Sequence, residues 1–328
     1  MYSYKQKVIM DDLTKTNASA LTENALYAEY TKAVDPQRSG IINKVPFYNF
    51  SSSLHETGES AIHPLDISSS LGIPGPATSP CLCANFIRLL KNTSLKTTHN
   101  ASSELFYVIN GAGYSLFEGI KIPWQKGDFV VLPAGKNIEH FGVSEESSLY
   151  LIHDQPLLDY LGVTPSKQKF KPTLFTNEKS KKELDQVKRE GNAVNRSRIS
   201  VILVNKAMDQ TLSASHTMWA MLGVLPKEAS QLAHRHQSVA LDLILDCKPG
   251  CYTLVGDKID NKGNIINPIR EEWKPNSAFI TPPGLWHAHF NESGQDVNFI
   301  PIQDAGLHIY LRTLDIKFVL PNQQIPTA

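Results

Sequence analysis

Two histidines one residue apart, His234 and His236, lie in the run Ala233-His-Arg-His-Gln237, and a third, His287, follows in Trp286-His-Ala-His289. Side chains at i and i+2 of a strand share a face, so His234 and His236 form a pair of imidazoles while Arg235 points away. A Pro282-x-Gly284 turn before His287 can bring its imidazole onto the same ion. Three neutral imidazoles hold a divalent metal and leave coordination positions open for chemistry. They do not cancel the ion's charge, so the site favours an anionic chelating substrate, such as an aromatic carboxylate with a neighbouring hydroxyl. A lone His-x-His is more often surface or core decoration; here a second segment supports it.

Other residues stand near this set in the sequence. His289, two residues beyond His287 on the same strand face, reads either as a catalytic acid–base group or as a hydrogen-bond partner of a ligand. Gln303, His308 and Arg312 on the last strands are candidate substrate contacts, and Arg312 can grip a carboxylate with two parallel bonds or make a structural ion pair. Trp286 lines the pocket or packs the barrel wall. Asp242 shares the face of His236 and is an inward acid or a structural one.

The elements that position these residues are strands. Residues 81–150 carry short apolar alternating runs punctuated by Gly111, Gly113, Gly119, Gly127 and Gly135, the pattern of an all-β barrel or sandwich. Strands resume at 199–204 and continue to 309–312. Between them, 177–190 is a charged run that reads as a solvated helix. Ahead of them, 11–34 reads as one or two amphipathic helices. Residues 35–80, rich in Ser, Gly and Pro, read as an extended arm of the kind that crosses a neighbouring subunit, which implies a homo-oligomer, dimer or tetramer. The expected organisation is a helical segment and arm over 1–80, a β domain over 81–165, a linker over 166–195 and a second β domain over 196–328.

The two β domains are repeats. Gly127-x5-Pro133-x-Gly135 aligns with Asn276-x5-Pro282-x-Gly284, and Glu104-x6-Gly111 aligns with Ala240-x6-Cys247. At these offsets His287 falls on Ile138 and His289 on His140. Counting back from Glu104 places Thr98 and Asn100 where His234 and His236 stand, with His99 outward; one extra residue brings His99 inward. The first domain is therefore expected to be metal-free and the second metal-bearing.

Pro282-x-Gly284-x-x-His287-x-x-x-Asn291 and His234-x-His236 resemble the two motifs of the cupin superfamily, with Asn276 and Cys247 in place of its glycines and Ala240 in place of its glutamate. That resemblance implies an all-β chain of two tandem cupin (double-stranded β-helix, jelly-roll) barrels behind a short helical segment. Over about residues 80–320, with Gln155-Pro-Leu-Leu-Asp-Tyr-Leu-Gly162 adding to the likeness, the chain resembles gentisate 1,2-dioxygenase and its relatives acting on salicylate and 1-hydroxy-2-naphthoate. The resemblance implies iron(II), dioxygen and an aromatic acid as partners, although three histidines also suit zinc, nickel, manganese or copper. One departure is that those enzymes carry the metal in the amino-terminal cupin. Two other classes remain open: a different metal-dependent cupin enzyme, such as an isomerase or acid-processing enzyme, and a non-catalytic small-molecule-binding cupin.

Composition narrows the partners. Thirty-two basic residues balance thirty-two acidic ones, which gives no electrostatic reason to expect nucleic acid or a membrane surface. No apolar run approaches the roughly 18 residues of a membrane span and the polar start lacks a signal peptide's apolar core, so a cytoplasmic location is expected. The four cysteines read as reduced structural thiols.

Overall fold

The computed structural model describes residues 22–191 and 198–319, and the helices expected over 11–34 fall partly outside them. The chain divides into two compact units, Met1–Asn43 and Lys44–Ala328. In the described part of the first, a single turn of helix, α1 (Tyr30–Ala33), starts where the Glu29 side chain accepts the amide of Thr31.

The second unit contains both barrels. Their antiparallel strands are β2 (Ala61–Pro64), β3 (Cys83–Leu90), β4 (Ser94–Thr97), β5 (Ser103–Asn110), β6 (Ala112–Phe117), β7 (Ile120–Gln125), β8 (Phe129–Pro133), β9 (Ile138–Gly142), β10 (Glu146–His153) and β11 (Thr173–Phe175) in the first, paired in the orders β11-β8-β5-β10-β3-β2 and β4-β9-β6-β7. The second uses β1 (Tyr48–Phe50), β12 (Ile199–Ile202), β13 (Trp219–Leu225), β14 (Ser230–Arg235), β15 (Ala240–Ile244), β16 (Cys251–Gly256), β17 (Ile269–Glu272), β18 (Ala278–Thr281), β19 (Trp286–Asn291), β20 (Val297–Gln303) and β21 (Lys317–Phe318), in the orders β1-β18-β15-β20-β13-β12 and β17-β16-β19-β14-β21. These are the tandem jelly rolls anticipated from the sequence.

The large sheet of each barrel is buried on both faces, which explains why its strands read as nearly continuous apolar runs. Along β5, Phe106 and Val108 face the interior of the first barrel. Leu105, Tyr107 and Ile109 face a core shared with Leu241, Leu243, Ile300 and Ile302 of the second barrel. The large sheets thus lie back to back, leaving the small sheets to close each barrel on its far side. The Ser/Gly/Pro-rich stretch expected to be an arm is drawn partly into these sheets: β1 pairs with β18 of the second barrel and β2 with β3 of the first. The connector behaves in the same way, since β11 pairs with β8, and β12 pairs with β13 where strands were expected to resume. Its charged run forms the helix α2 (Asn177–Arg189), capped by the Thr176 hydroxyl.

Strand register fixes the correspondence between the halves. Glu104 sits between Leu132 and His153, and Ala240 between Thr281 and Gln303. The Asp154 carboxylate accepts the amides of Ser102 and Ser103, as Asp304 accepts the amide of Val239.

Candidate metal centre

The second barrel assembles its imidazoles on two neighbouring strands. His234 and His287 are cross-strand partners on β14 and β19, with ring centroids 4.0 Å apart. A register shift lies between Gln231 and His234. His236 follows the end of β14 and lies 4.8 Å from the His287 ring. Its carbonyl accepts the amide of Gly284 at 2.7 Å, which locks the ligand loop to the Pro-x-Gly turn. Gly284 has φ +77°, a left-handed conformation that side-chain-bearing residues resist.

One ligand atom from each of His234, His236 and His287 lies within 4.8 Å of the others. Their opposite ring nitrogens are already engaged: Nδ1 of His234, His236 and His287 donates to the carbonyls of Leu232 (3.0 Å), Ser238 (2.8 Å) and Leu285 (3.1 Å). Proton placement on Nδ1 leaves each Nε2 as a lone-pair donor, the arrangement that orients metal-binding histidines. Nε2 of His234 and of His236 is buried without a hydrogen-bond partner, an arrangement that costs roughly 1–3 kcal/mol per group unless a ligand takes the lone pair. Burial holds His234 and His287 well below the usual histidine range and His236 down to about 4, so all three are neutral and competent to coordinate at neutral pH. The residues therefore fit a divalent metal.

His289 lies one step deeper, opposite Gln231. Its Nδ1 is 2.8 Å from the Thr253 hydroxyl, which accepts the indole N–H of Trp273 at 2.7 Å. Trp273 can only donate, so the Thr253 hydroxyl is anchored as its acceptor and holds the His289 ring by Nδ1, leaving Nε2 free of Thr253. Beneath it is a cation absent from the sequence-derived set, Arg198. Its Nε donates to Gln231 Oε1 at 3.3 Å, one terminal nitrogen reaches Met221 Sδ at 3.8 Å, and the guanidinium carbon lies 5.5 Å from the Phe299 ring centre. Burial lowers the Arg198 pKa, and nearby Asp242 opposes that shift. Burial likewise pushes Asp242 up to about 6 against the hydroxyl of Thr281 and the charge of Arg198. In the sequence, Arg196-Ser-Arg198 has the look of a polar linker, and only the β12–β13 pairing reveals that its last side chain enters the barrel.

Of the other expected contacts, Gln303 is buried opposite Ala240 and accepts the Ser238 hydroxyl at 3.0 Å. His308 lies on the helix α3 (Ala305–Leu311), half-buried, and its charge contributes to lowering the His236 pKa. The strand placements of His308 and Arg312 are corrected, and of the two readings of Trp286 the packing one holds. Arg312 is not on a strand: it is the exposed left-handed cap of α3, its guanidinium bonded to the carbonyl of Tyr310. Trp286 alternates with inward His287 and therefore faces out, packing with Ala233, Ile265, Ala288 and Val319, with Arg235 5.1 Å from its ring centre.

The first-barrel register is corrected too. The pairs Thr97–Ile138 and Leu95–His140 match His234–His287 and Gln231–His289. Thr97 and His99, rather than Thr98 and Asn100, therefore occupy the places of His234 and His236. The segment from Thr97 to Glu104 is one residue longer than that from His234 to Ala240. His234, His236 and His287 form the only three-ligand group found among the described residues.

The fold has known counterparts. Salicylate 1,2-dioxygenase from Pseudoaminobacter salicylatoxidans, in a variant bound to gentisate, superposes with a TM-score of 0.69 and 12% identity over 94% of both chains. The chain has the salicylate 1,2-dioxygenase fold. A second structure of salicylate 1,2-dioxygenase gives a TM-score of 0.68 at 12% identity, covering 93% of this chain and 97% of that one. In sequence, 90 residues are 30% identical to 5-aminosalicylate 1,2-dioxygenase from Comamonas, covering 27% of this chain and only 24% of that relative's length. No family model matches the chain. Among the described residues, no helix is long and apolar enough to cross a membrane.

Proposed function

We propose that the second barrel is the centre of a metal-dependent dioxygenase that opens the ring of a hydroxylated aromatic carboxylate, with iron(II) held by His234, His236 and His287. The observation carrying this reading is the convergence of three buried, neutral imidazoles whose Nδ1–H groups are fixed by backbone carbonyls. The ion, when bound, supplies open positions for substrate oxygens and dioxygen.

The chain's own groups suit the rest of the task. Arg198 offers a buried guanidinium with, among the described residues, one long nitrogen-to-oxygen bond, so an incoming carboxylate meets available donors in a low-dielectric interior. His289, held at Nδ1 by Thr253, keeps Nε2 available for a hydrogen bond to the bound acid. Phe299, Trp273 and Phe279 form an apolar floor, and Phe318 stacks 5.9 Å from His234 at the barrel edge, limiting water. The likeness to salicylate and 5-aminosalicylate dioxygenases supports the substrate class. The reading extends to a cytoplasmic homo-oligomer, for which exposed Tyr160, Leu161, Tyr310 and Leu311 offer apolar contact surface.

Elemental analysis, anaerobic calorimetry and oxygen uptake test the proposal. One iron per chain and oxygen consumption with gentisate or salicylate are expected. Salicylate should bind at least about 2 kcal/mol more tightly than its methyl ester, because the ester lacks the charge that pairs with the site. Arg198→Gln should weaken the acid by about tenfold while leaving metal content unchanged. Equal affinity for acid and ester overturns charge-assisted chelation, and bound metal without oxygen uptake across aromatic acids transfers the site to another class of metal-dependent cupin.

A further inference from the structure

The mouth of the first barrel opens on a cleft of about 560 Å³ that the metal chemistry of the second barrel does not use. His99 lines it. Its Nδ1 is 3.0 Å from Oε1 of Glu104, a buried carboxylate also approached by the Thr97 hydroxyl at 3.5 Å. The opposite face of the imidazole lies against His153, with ring centres 3.7 Å apart and planes 20° from parallel. Orientation is thus fixed twice, by the carboxylate behind the ring and by the stack beneath it. A carboxylate only accepts, so the His99 proton facing it sits on Nδ1, and Nε2 is left for the cleft. A hydroxyl, which both donates and accepts, suits that edge.

The walls ask for negative charge. Lys136 from the β8–β9 turn and Lys167 from the segment after Gly162 line the cleft, are exposed and form no ion pair among the described residues. Glu118, the acid on the rim, accepts a hydrogen bond from Gln168 at 2.7 Å. The floor does not supply a metal trio: Ile138 has no donor, and both nitrogens of His140 are within hydrogen-bond distance of hydroxyls, Ser115 at 2.8 Å and Thr97 at 3.4 Å.

We propose that this cleft is a metal-independent binding site for a small hydroxy-dicarboxylic acid, whose carboxylates meet Lys136 and Lys167 and whose hydroxyl hydrogen-bonds to His99 Nε2. The proposal does not rest on the dioxygenase reading, and its test works with the second barrel empty. L-Malate is the probe, and succinate, which lacks only the hydroxyl, is the control.

Calorimetry on the chelator-treated full chain should give one malate site per chain with Kd of about 0.1–1 mM, unchanged on reloading with metal. Succinate should bind about fivefold more weakly, the difference made by one neutral hydrogen bond. His99→Phe should abolish that discrimination. The double variant Lys136→Ala/Lys167→Ala, confined to exposed side chains, should weaken both acids about tenfold or more without touching the fold. His287→Ala, which strips the second barrel of a ligand, should leave malate binding intact. No malate binding in the wild-type chain, equal affinity for malate and succinate, or full binding by the lysine double variant overturns the site.

Discussion

The two barrels share a strand register and differ in what fills them. Phe106, Leu132 and Leu151 point into the first barrel, and the matching positions of the second hold Asp242, Thr281 and Pro301. At the rim, Thr97 and Ile138 replace His234 and His287. One device is common to both: Trp124, Ser115 and His140 reproduce the indole–hydroxyl–imidazole chain of Trp273, Thr253 and His289, with an N–H to hydroxyl bond of 3.0 Å and a hydroxyl to imidazole distance of 2.8 Å. The chain is therefore a way of burying a histidine in this barrel and does not by itself mark catalysis. What separates His289 is its surroundings, three ligand imidazoles and Arg198, where His140 meets Thr97 and the edge of Phe106.

The largest effect should come from the ligands. Replacing His234, His236 or His287 by Ala removes one of three neutral donors and should lower metal affinity by several kcal/mol, against roughly 10–16 kcal/mol for complete structural zinc sites. The folded barrel should persist, since strands surround the cavity. The reciprocal change, Ile138→His, should not give the first barrel a site as tight as the second's, because Thr97 remains a hydroxyl and His99 Nδ1 is engaged by Glu104. Stoichiometric metal in all three alanine variants, or equally tight new metal in Ile138→His, breaks the contrast.

Packing sharpens it next. Leu132 is fully buried among apolar neighbours, so Leu132→Ala should cost about 2–5 kcal/mol by urea unfolding of metal-free protein. At the equivalent position, Thr281→Ala removes a bond to Asp242 and should cost about 1–2 kcal/mol. Equal losses would mean that the two interiors are packed alike.

Much of this contrast was legible in the sequence because the repeat is punctuated by Pro-x-Gly turns, whose offset placed His287 on Ile138 and His289 on His140. The ligand trio was legible because period-two geometry on a strand is rigid. The irregular parts were not. The extra residue between Thr97 and Glu104 moved His99 inward and Asn100 outward, where its amide bonds Asp159 and the carbonyl of Val163. A strand-to-helix switch after Gln303 put Arg312 on a surface cap. Arg198 escaped because burial of a lone cation depends on strand pairing distant in sequence, on which local composition is silent.

A pH dependence isolates the shared device, and the first barrel reports it without interference from metal. Burial lowers the His140 pKa to about 3, while the unfolded chain titrates near the ordinary histidine value of about 6.5. Below that value the unfolded state binds a proton that the native state refuses, so stability falls as pH drops from about 6.5 toward 3. Between pH 7 and 5 this one group should remove about 2 kcal/mol, read from urea midpoints at the two pH values. His140→Gln should lose less than the wild type over that interval. An identical loss would show that the ring is charged or exposed.

The smallest expected effect lies in two helix ends that match across the repeat. The helix Gln155–Leu161 closes on Gly162 at φ +64°, ψ 34°, and α3 closes on Arg312 at φ +61°, ψ 30°. Each cap amide bonds back to the preceding turn, and each following residue does the same, Val163 to Leu158 and Thr313 to His308. The left-handed conformation carries a penalty of about 1–2 kcal/mol for a residue with a Cβ and almost none for glycine. Arg312→Gly should therefore stabilise the chain by about 0.5–1 kcal/mol, a part of the relief being offset by the greater freedom of glycine in the unfolded state. Gly162→Ala should destabilise it by a similar amount. The same arginine variant separates cap from pocket: with its guanidinium bonded to the Tyr310 carbonyl at the surface, its loss should leave salicylate affinity unchanged in the metal-loaded protein, whereas Arg198→Gln weakens it. A fall in salicylate affinity on Arg312→Gly, with thermal stability preserved, would return the carboxylate contact to Arg312 and require α3 to close over the barrel mouth when substrate binds.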